Sequence, residues 1–215
     1  TAVGSYALES NVDGARNTAV GFEALEENTG SYNTGVGYLA LTANTTATYN
    51  TGVGYNAISS NTTGQYNTAV GGNVLDANTT GDANTAVGYV ALGANTTGTL
   101  NTAIGRNALE SNSTGSYNTA VGAETLDDNN ADNNTAVGYR ALNLNTTGAD
   151  QVAVGRKALQ DNTTGTANTA VGTNALQNCT TGSSNTAVGN SAMDQLTTGG
   201  TNVSLGMNTL ASLTT

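Results

Sequence analysis

The chain of 215 residues contains no His, no Pro and no Trp, and it contains a single Cys. Without His, the Ser-His and Cys-His pairs of common hydrolases cannot form, so we do not expect an enzyme. The lone Cys179 cannot close a disulfide within the chain, and we interpret it as a structural residue. Basic residues are scarce, because five Lys and Arg stand against 15 Asp and Glu and leave a net charge of −10. This balance argues against nucleic-acid binding and favours solubility.

Large apolar side chains are scarce as well, with one Phe, nine Tyr and two Met beside 28 Gly. An ordinary globular core cannot be built from this composition. No hydrophobic run is long enough to cross a membrane, and no signal peptide or lipidation motif is present, so we expect no membrane insertion. The calcium-binding word Gly-Gly-x-Gly-x-Asp is absent, and we expect neither a metal nor another cofactor.

The chain is built from one five-residue word, Asn-Thr-Ala-Val-Gly, which returns at intervals of 16 or 17 residues or their multiples. We number the repeat from its Asn, which is repeat position 1. Copies begin at Asn17, Asn33, Asn50, Asn67, Asn84, Asn101, Asn118, Asn134, Gln151, Asn168, Asn185 and Asn202. A further copy starts at its position 2 with Thr1, which makes thirteen copies. A fixed short period indicates one structural unit stacked many times.

Repeat positions 2 to 5 have the pattern of a short β-strand. Position 5 is always Gly, position 4 is always aliphatic and position 3 is always small. Position 2 is Thr except at Val152 and Val203. Because Val and Thr share a shape, we predict that positions 2 and 4 form the inward or half-buried side of a strand. Positions 3 and 5 then meet a close neighbour, either within the coil or across a three-fold axis.

Positions 12 to 15 mostly read Asn-Thr-Thr-Gly, which is a turn signature. The copies that begin at Asn17 and Asn118 lack one residue there, which indicates a turn that absorbs length changes. Charged residues concentrate at positions 6, 7, 10 and 11, where we expect solvent. The acidic pairs Glu26-Glu27 and Asp127-Asp128 belong to this surface, and we assign them no catalytic role.

These features predict an all-β fold, a parallel β-solenoid (β-roll) of about thirteen coils that forms one domain over residues 1–215. Thr, Asn, Gly and Val are poor helix formers, and so short a repeat cannot hold two helices. With a rise of ~4.8 Å per coil, the rod is roughly 60 Å long. Stacked Asn at positions 1 and 12 can form amide ladders, and stacked Thr at positions 13 and 14 hydroxyl ladders. Because the sequence starts within a repeat, we expect it to be a fragment of a longer fibre.

Two further rows recur along the repeat. Aromatic residues occupy position 6 at Phe22, Tyr38, Tyr55, Tyr89 and Tyr139, and position 17 at Tyr32, Tyr49, Tyr66 and Tyr117. We expect these rings to stack between coils, and a sugar- or receptor-binding strip is the alternative. Asn-x-Thr sequons recur, mostly at position 12, and we interpret them as turn residues; a row of glycans is the alternative.

Two copies that depart from the common five-residue word resemble the repeats of a known protein family. Gln151-Val152-Ala153-Val154-Gly155 and Asn202-Val203-Ser204-Leu205-Gly206 resemble the Val-Ala-Ile-Gly repeat of trimeric autotransporter adhesin heads. The whole repeat is similar to the shaft repeats of phage tail-fibre proteins and of bacterial tail-fibre-domain surface proteins. The resemblance implies a left-handed β-roll, three identical chains around one axis, and a separate C-terminal chaperone or tip outside this sequence.

We therefore expect a non-catalytic fibre shaft of an extracellular or virion adhesin, located outside the cell, on its surface or on a virion. Its expected partners are copies of itself and host-cell or surface glycans. A self-assembling extracellular filament is the first alternative, since stacked coils have open strand edges. An ice-binding β-solenoid is the second alternative, with the Thr row at position 13 as the candidate surface. That row is interrupted at Val12, Ser113 and Asn130.

Overall fold

A computed structural model describes residues 1–215, and every copy of the repeat contributes one short β-strand, from positions 2 to 4 in all copies but the first, where it covers positions 3 and 4. In chain order the strands are β1 Ala2–Val3, β2 Thr18–Val20, β3 Thr34–Val36, β4 Thr51–Val53, β5 Thr68–Val70, β6 Thr85–Val87, β7 Thr102–Ile104, β8 Thr119–Val121, β9 Thr135–Val137, β10 Val152–Val154, β11 Thr169–Val171, β12 Thr186–Val188 and β13 Val203–Leu205. The predicted parallel β-solenoid is confirmed.

All thirteen strands belong to one parallel sheet in strict chain order from β1 to β13. Equivalent repeat positions pair with one another at every step, as Thr68 pairs with Thr85. The register holds across both short copies, where Thr18 pairs with Thr34 and Thr119 with Thr135. The missing residue is therefore absorbed in the turn, as the sequence predicts. The structure has no apolar helix of membrane-spanning length.

Outside its strand, each coil consists of turns that place ordinary residues in the left-handed region. Besides the Gly at position 5, positions 7, 9 and 17 have positive φ, as Glu23 (53°), Leu25 (54°) and Tyr32 (63°) show. This conformation costs a non-Gly residue roughly 1–2 kcal/mol. Bonds between coils offset the cost, because the Glu23 N–H donates to the preceding coil and the Leu25 N–H to the following one.

The invariant Gly at position 5 is explained by close packing between coils. Gly21 has a φ of 143°, which an L side chain rarely adopts. A Cβ at Gly21 would lie only 2.1 Å from the carbonyl oxygen of Gly37 in the next coil. The predicted close approach is thus correct at position 5, and it occurs between coils of one chain.

The strand alternates as predicted, but the inward and outward sides are reversed. Ala19 at position 3 is fully buried, whereas Val20 at position 4 is 38% exposed. Position 2 also faces outward, and Val152 is 37% exposed. Of the two predicted placements of positions 2 and 4, the inward one is therefore wrong, and the half-buried one holds in strands such as β3, β4 and β8. The small residue at position 3 packs inside the coil, so the sequence argument for a three-fold contact there no longer applies.

The reason for the reversal is the narrow interior of the coil. Most coils bury a small residue at position 3, usually Ala, together with the residue at position 8 and an apolar residue at position 9, such as Ala86, Ala91 and Leu92. In most coils the rest of the interior is occupied by the Asn side chains of positions 1 and 12, which are also buried. No space remains for a β-branched side chain from every strand. Val and Thr are placed outside, where they stack along the sheet.

Both predicted Asn ladders are confirmed, and both lie inside the rod. At position 1, the Asn84 N–H donates to Oδ1 of Asn67 at 2.9 Å, and its Nδ2 donates to the Gly98 carbonyl at 2.8 Å. At position 12, Nδ2 of Asn78 donates to Oδ1 of Asn61 at 2.8 Å. Each amide therefore satisfies backbone groups of its own coil or of a neighbour, which a buried polar side chain requires.

The position-12 ladder ends near the C-terminus in apolar residues. Cys179 and Leu196 are fully buried in the core, and the partly buried Leu213 packs against it. The side chains of Cys179 and Leu196 replace the Asn amide inside the rod. Burial raises the pKa of the Cys179 thiol to about 11, in keeping with a structural role.

Candidate binding face

The outward side of the sheet is a regular surface that we call the strand face, formed by positions 2 and 4 from β2 to β12. Each coil contributes one Thr or Val at position 2 and one Val or Ile at position 4. Ile104 is 42% exposed and Val87 36%. Exposed positions normally vary between copies, yet these remain β-branched in every coil. The strand face therefore repeats as strictly as the core does.

The hydroxyl groups of the strand face differ from those of the Thr row at position 13. At position 13, the Thr62 hydroxyl donates to the Thr79 carbonyl and the Thr79 hydroxyl to the Thr96 carbonyl. These hydroxyls are already hydrogen-bonded between one coil and the next. The hydroxyls of the strand threonines make no hydrogen bond within the chain, and these residues are half-buried or, like Thr68 and Thr85, exposed. The row chosen from the sequence for ice binding is thus the internally bonded one.

Aromatic ladders flank the strand in the N-terminal part of the rod. Phe22 stacks on Tyr38 and Tyr38 on Tyr55, each with ring centroids 5.4 Å apart. On the other flank, Tyr32 stacks on Tyr49 at 4.6 Å. The expected stacking is confirmed from Phe22 to Tyr55 and from Tyr32 to Tyr66, whereas Tyr89, Tyr117 and Tyr139 stack on no other ring. In the stacked rows the rings cover one another's faces, so little ring face remains there for a sugar.

Charge is concentrated away from the strand face. Positions 2 to 5 carry no charged residue in any copy, whereas nine of the 15 acidic residues occupy positions 10 and 11. Burial raises the pKa of Asp127 to about 6, and the charges of Glu110 and Asp128 add to the shift. The pKa of Asp76 is also raised by burial. The rod has one uncharged side and one acid-rich edge.

One ion-pair cluster links three coils at positions 6 and 7. Glu124 accepts from the Arg140 Nε at 2.6 Å, and it also pairs with Arg106. The Arg140 hydrogen bond, followed by that from Arg106, holds the pKa of Glu124 below its ordinary value. The arginines are substantially exposed, so this cluster contributes little to stability.

The remaining chemistry-bearing residues do not form a site. Glu26 lies among acids, and desolvation, followed by repulsion from Glu23 and Glu9, raises its pKa. No group of three or more Cys, Asp or Glu side chains could hold a metal ion. The surface has one shallow, open indentation, between Asp76 and Glu110 beside Gly93. Two like charges at its rim and no convergent donors give it no evident ligand.

The sequons lie mostly on the internal ladder. Asn44, Asn61, Asn78, Asn95, Asn112, Asn145 and Asn162 are fully buried. Their Nδ2 atoms donate within the rod, as Nδ2 of Asn95 does to Oδ1 of Asn78. Since Nδ2 is the atom that N-glycosylation modifies, the folded rod offers no row of glycan sites. The turn and ladder roles account for these residues.

Comparisons of the chain with protein-family models, with curated proteins and with solved structures find no match. The likeness to tail-fibre and autotransporter repeats therefore stays an expectation drawn from the repeat residues alone.

Proposed function

We propose that the chain is a non-catalytic shaft segment of an extracellular or virion fibre, whose task is to set a distance. The observation that carries the proposal is the unbroken stacking of thirteen equivalent strands from β1 to β13. Each coil adds one strand spacing of ~4.8 Å to the length, so the number of coils sets the reach.

The internal ladders support a mechanical role. Most coils are joined to the next by strand hydrogen bonds, by position-13 hydroxyls and by buried amides such as Asn67 and Asn84. A stack of this kind derives its stability from every coil and from every interface between coils. Such a rod resists bending at any single point, which a spacer needs.

Trimerisation, which the resemblance implies, remains part of the proposal and has its own measurement. Each chain encloses its own hydrophobic cluster, so a coil does not need neighbouring chains to bury its Leu and Ala side chains. Light scattering of the purified chain gives three times 21.4 kDa for a trimer and 21.4 kDa for a single rod. The spacer role holds in either state.

Immunogold electron microscopy tests the shaft proposal, with an antibody raised against this chain and applied to the cells or virions that produce it. We expect label on thin projecting fibres, in short linear runs. Preimmune serum provides the control. Label confined to the cell interior, with none on surfaces or particles, would contradict the proposal.

A further inference from the structure

The strand face has no partner within the chain although it is the most regular surface of the molecule. It presents Thr hydroxyls and Val methyls on a grid of ~4.8 Å along the rod by ~6.6 Å across each strand. The grid continues from Thr18 and Val20 to Thr186 and Val188 without a charged residue. A surface with this composition and spacing suits a neutral partner that repeats with a short period.

The face is also rigid. Val, Ile and Thr have one or two favoured χ1 rotamers, so their methyl and hydroxyl groups hold their positions. Sheets of many strands stay flat when specific side-chain ladders stack along them, as the Asn ladders do here. The stacked rings from Phe22 to Tyr55 and from Tyr32 to Tyr66 are within 5–11° of parallel, so these side chains keep nearly the same orientation from one coil to the next.

The free hydroxyls identify the kind of partner. Ten strand threonines have hydroxyls with no acceptor or donor in the chain, so each can bond to water. A second copy docked on this face would have to pair these hydroxyls or lose the hydrogen bonds they make to water. A partner made of water avoids this cost.

We propose that the strand face binds ice. An ice surface is neutral, rigid and periodic, and it offers both donors and acceptors to every hydroxyl it meets. Water held between the Val methyls and bonded to the Thr hydroxyls joins the lattice on one side and the protein on the other. This function is separate from the shaft proposal and uses a different row from the internally bonded threonines of position 13.

Nanolitre osmometry on the intact chain tests the proposal, with crystal shape recorded in the same drop. We expect a gap between melting and freezing points that grows with concentration, together with faceted crystals. The change Thr85→Lys places a charge in the middle of the strand face and should reduce the gap several-fold. The matched change Thr97→Lys, at an exposed turn position of the same coil, should leave it unchanged.

Circular dichroism of both variants measures whether they remain folded, and light scattering measures their molecular mass. Equal spectra and melting temperatures exclude unfolding as the cause of a lost effect. Round crystals and no gap for the wild-type chain at millimolar concentration would overturn the proposal, as would equal activity in the Thr85→Lys variant. A fall in molecular mass caused by Thr85→Lys alone, without an effect on ice, would assign the face to self-association instead and also overturn it.

Discussion

At the residue scale, the fold depends on Gly at position 5, where backbone conformation and space both exclude a side chain. Gly88 has a φ of 145°, and a Cβ there would lie 2.4 Å from the Gly105 carbonyl oxygen. We expect Gly88→Ala to lower stability by about 3 kcal/mol or more, since strain and overpacking add. The midpoint of urea unfolding measures the effect.

Gly72 provides the matched control for this change. Its φ is not in the left-handed region, and an added Cβ would meet only the Tyr89 ring, at 3.5 Å. We expect Gly72→Ala to change stability by less than about 1 kcal/mol. Equal effects of the two substitutions would contradict the assigned role of position 5.

The position-1 ladder has one natural defect, at Gln151. Its longer side chain bonds to Asn162 and Asn168 through Oε1, and the Asn168 N–H is left without the acceptor that its counterparts have. We expect Gln151→Asn to restore that bond and to stabilise the rod by about 1 kcal/mol. The reciprocal change, Asn84→Gln, should introduce the defect and cost a similar amount. Melting temperatures that move in the same direction in both variants would rule out this explanation.

At the element scale, the sequence predicts a strand, a variable turn and two amide ladders in each coil, and all three are confirmed. Which side chains of the strand point into the core could not be predicted from the Val152 and Val203 exchanges, because β-branched residues also suit the exposed side of a sheet. The deciding fact is how little room the interior has, which depends on turns with Leu in the left-handed region. Propensities give no sign of such turns, since Leu is rarely found there.

The acid-rich edge predicts that the rod is more stable in mild acid. The folded chain keeps the Asp127 proton up to about pH 6, whereas the ordinary value is 3.8. Between these values the folded state binds more protons, so the free energy of unfolding falls as pH rises. The raised pKa values of Asp76 and Asp161 act in the same direction. We expect a higher melting temperature at pH 4.5 than at pH 7.

Asp127→Asn isolates this effect. The variant should melt higher than the wild type at pH 7 and nearly equal to it at pH 4, with scanning calorimetry as the measurement. Asp150→Asn removes one exposed acid at position 17 and serves as the control. If both variants gave the same pH profile as the wild type, the burial of Asp127 would have no part in the stability.

At the scale of the whole molecule, the period of the repeat alone predicts a stacked rod. The composition of the rod's surface depends on which strand positions point outward. Because positions 2 and 4 point outward, the rod carries an uncharged strand face, with most of its acids on another side. The sequence places the candidate ice-binding row at position 13, where the hydroxyls already donate to backbone carbonyls of the next coil, as Thr62 does to Thr79. Only the hydrogen-bond partners of each Thr distinguish the two rows.

The most direct test of the rod is small-angle X-ray scattering of the intact chain and of a variant without residues 67–117, which are three whole coils. Deletion joins Tyr66 to Asn118 in the same repeat phase. We expect the maximum dimension to shorten by about 14 Å and the cross-section to stay the same, because each coil adds one strand spacing. A variant that becomes thinner, or that keeps its length, would contradict a rod of one coil per strand.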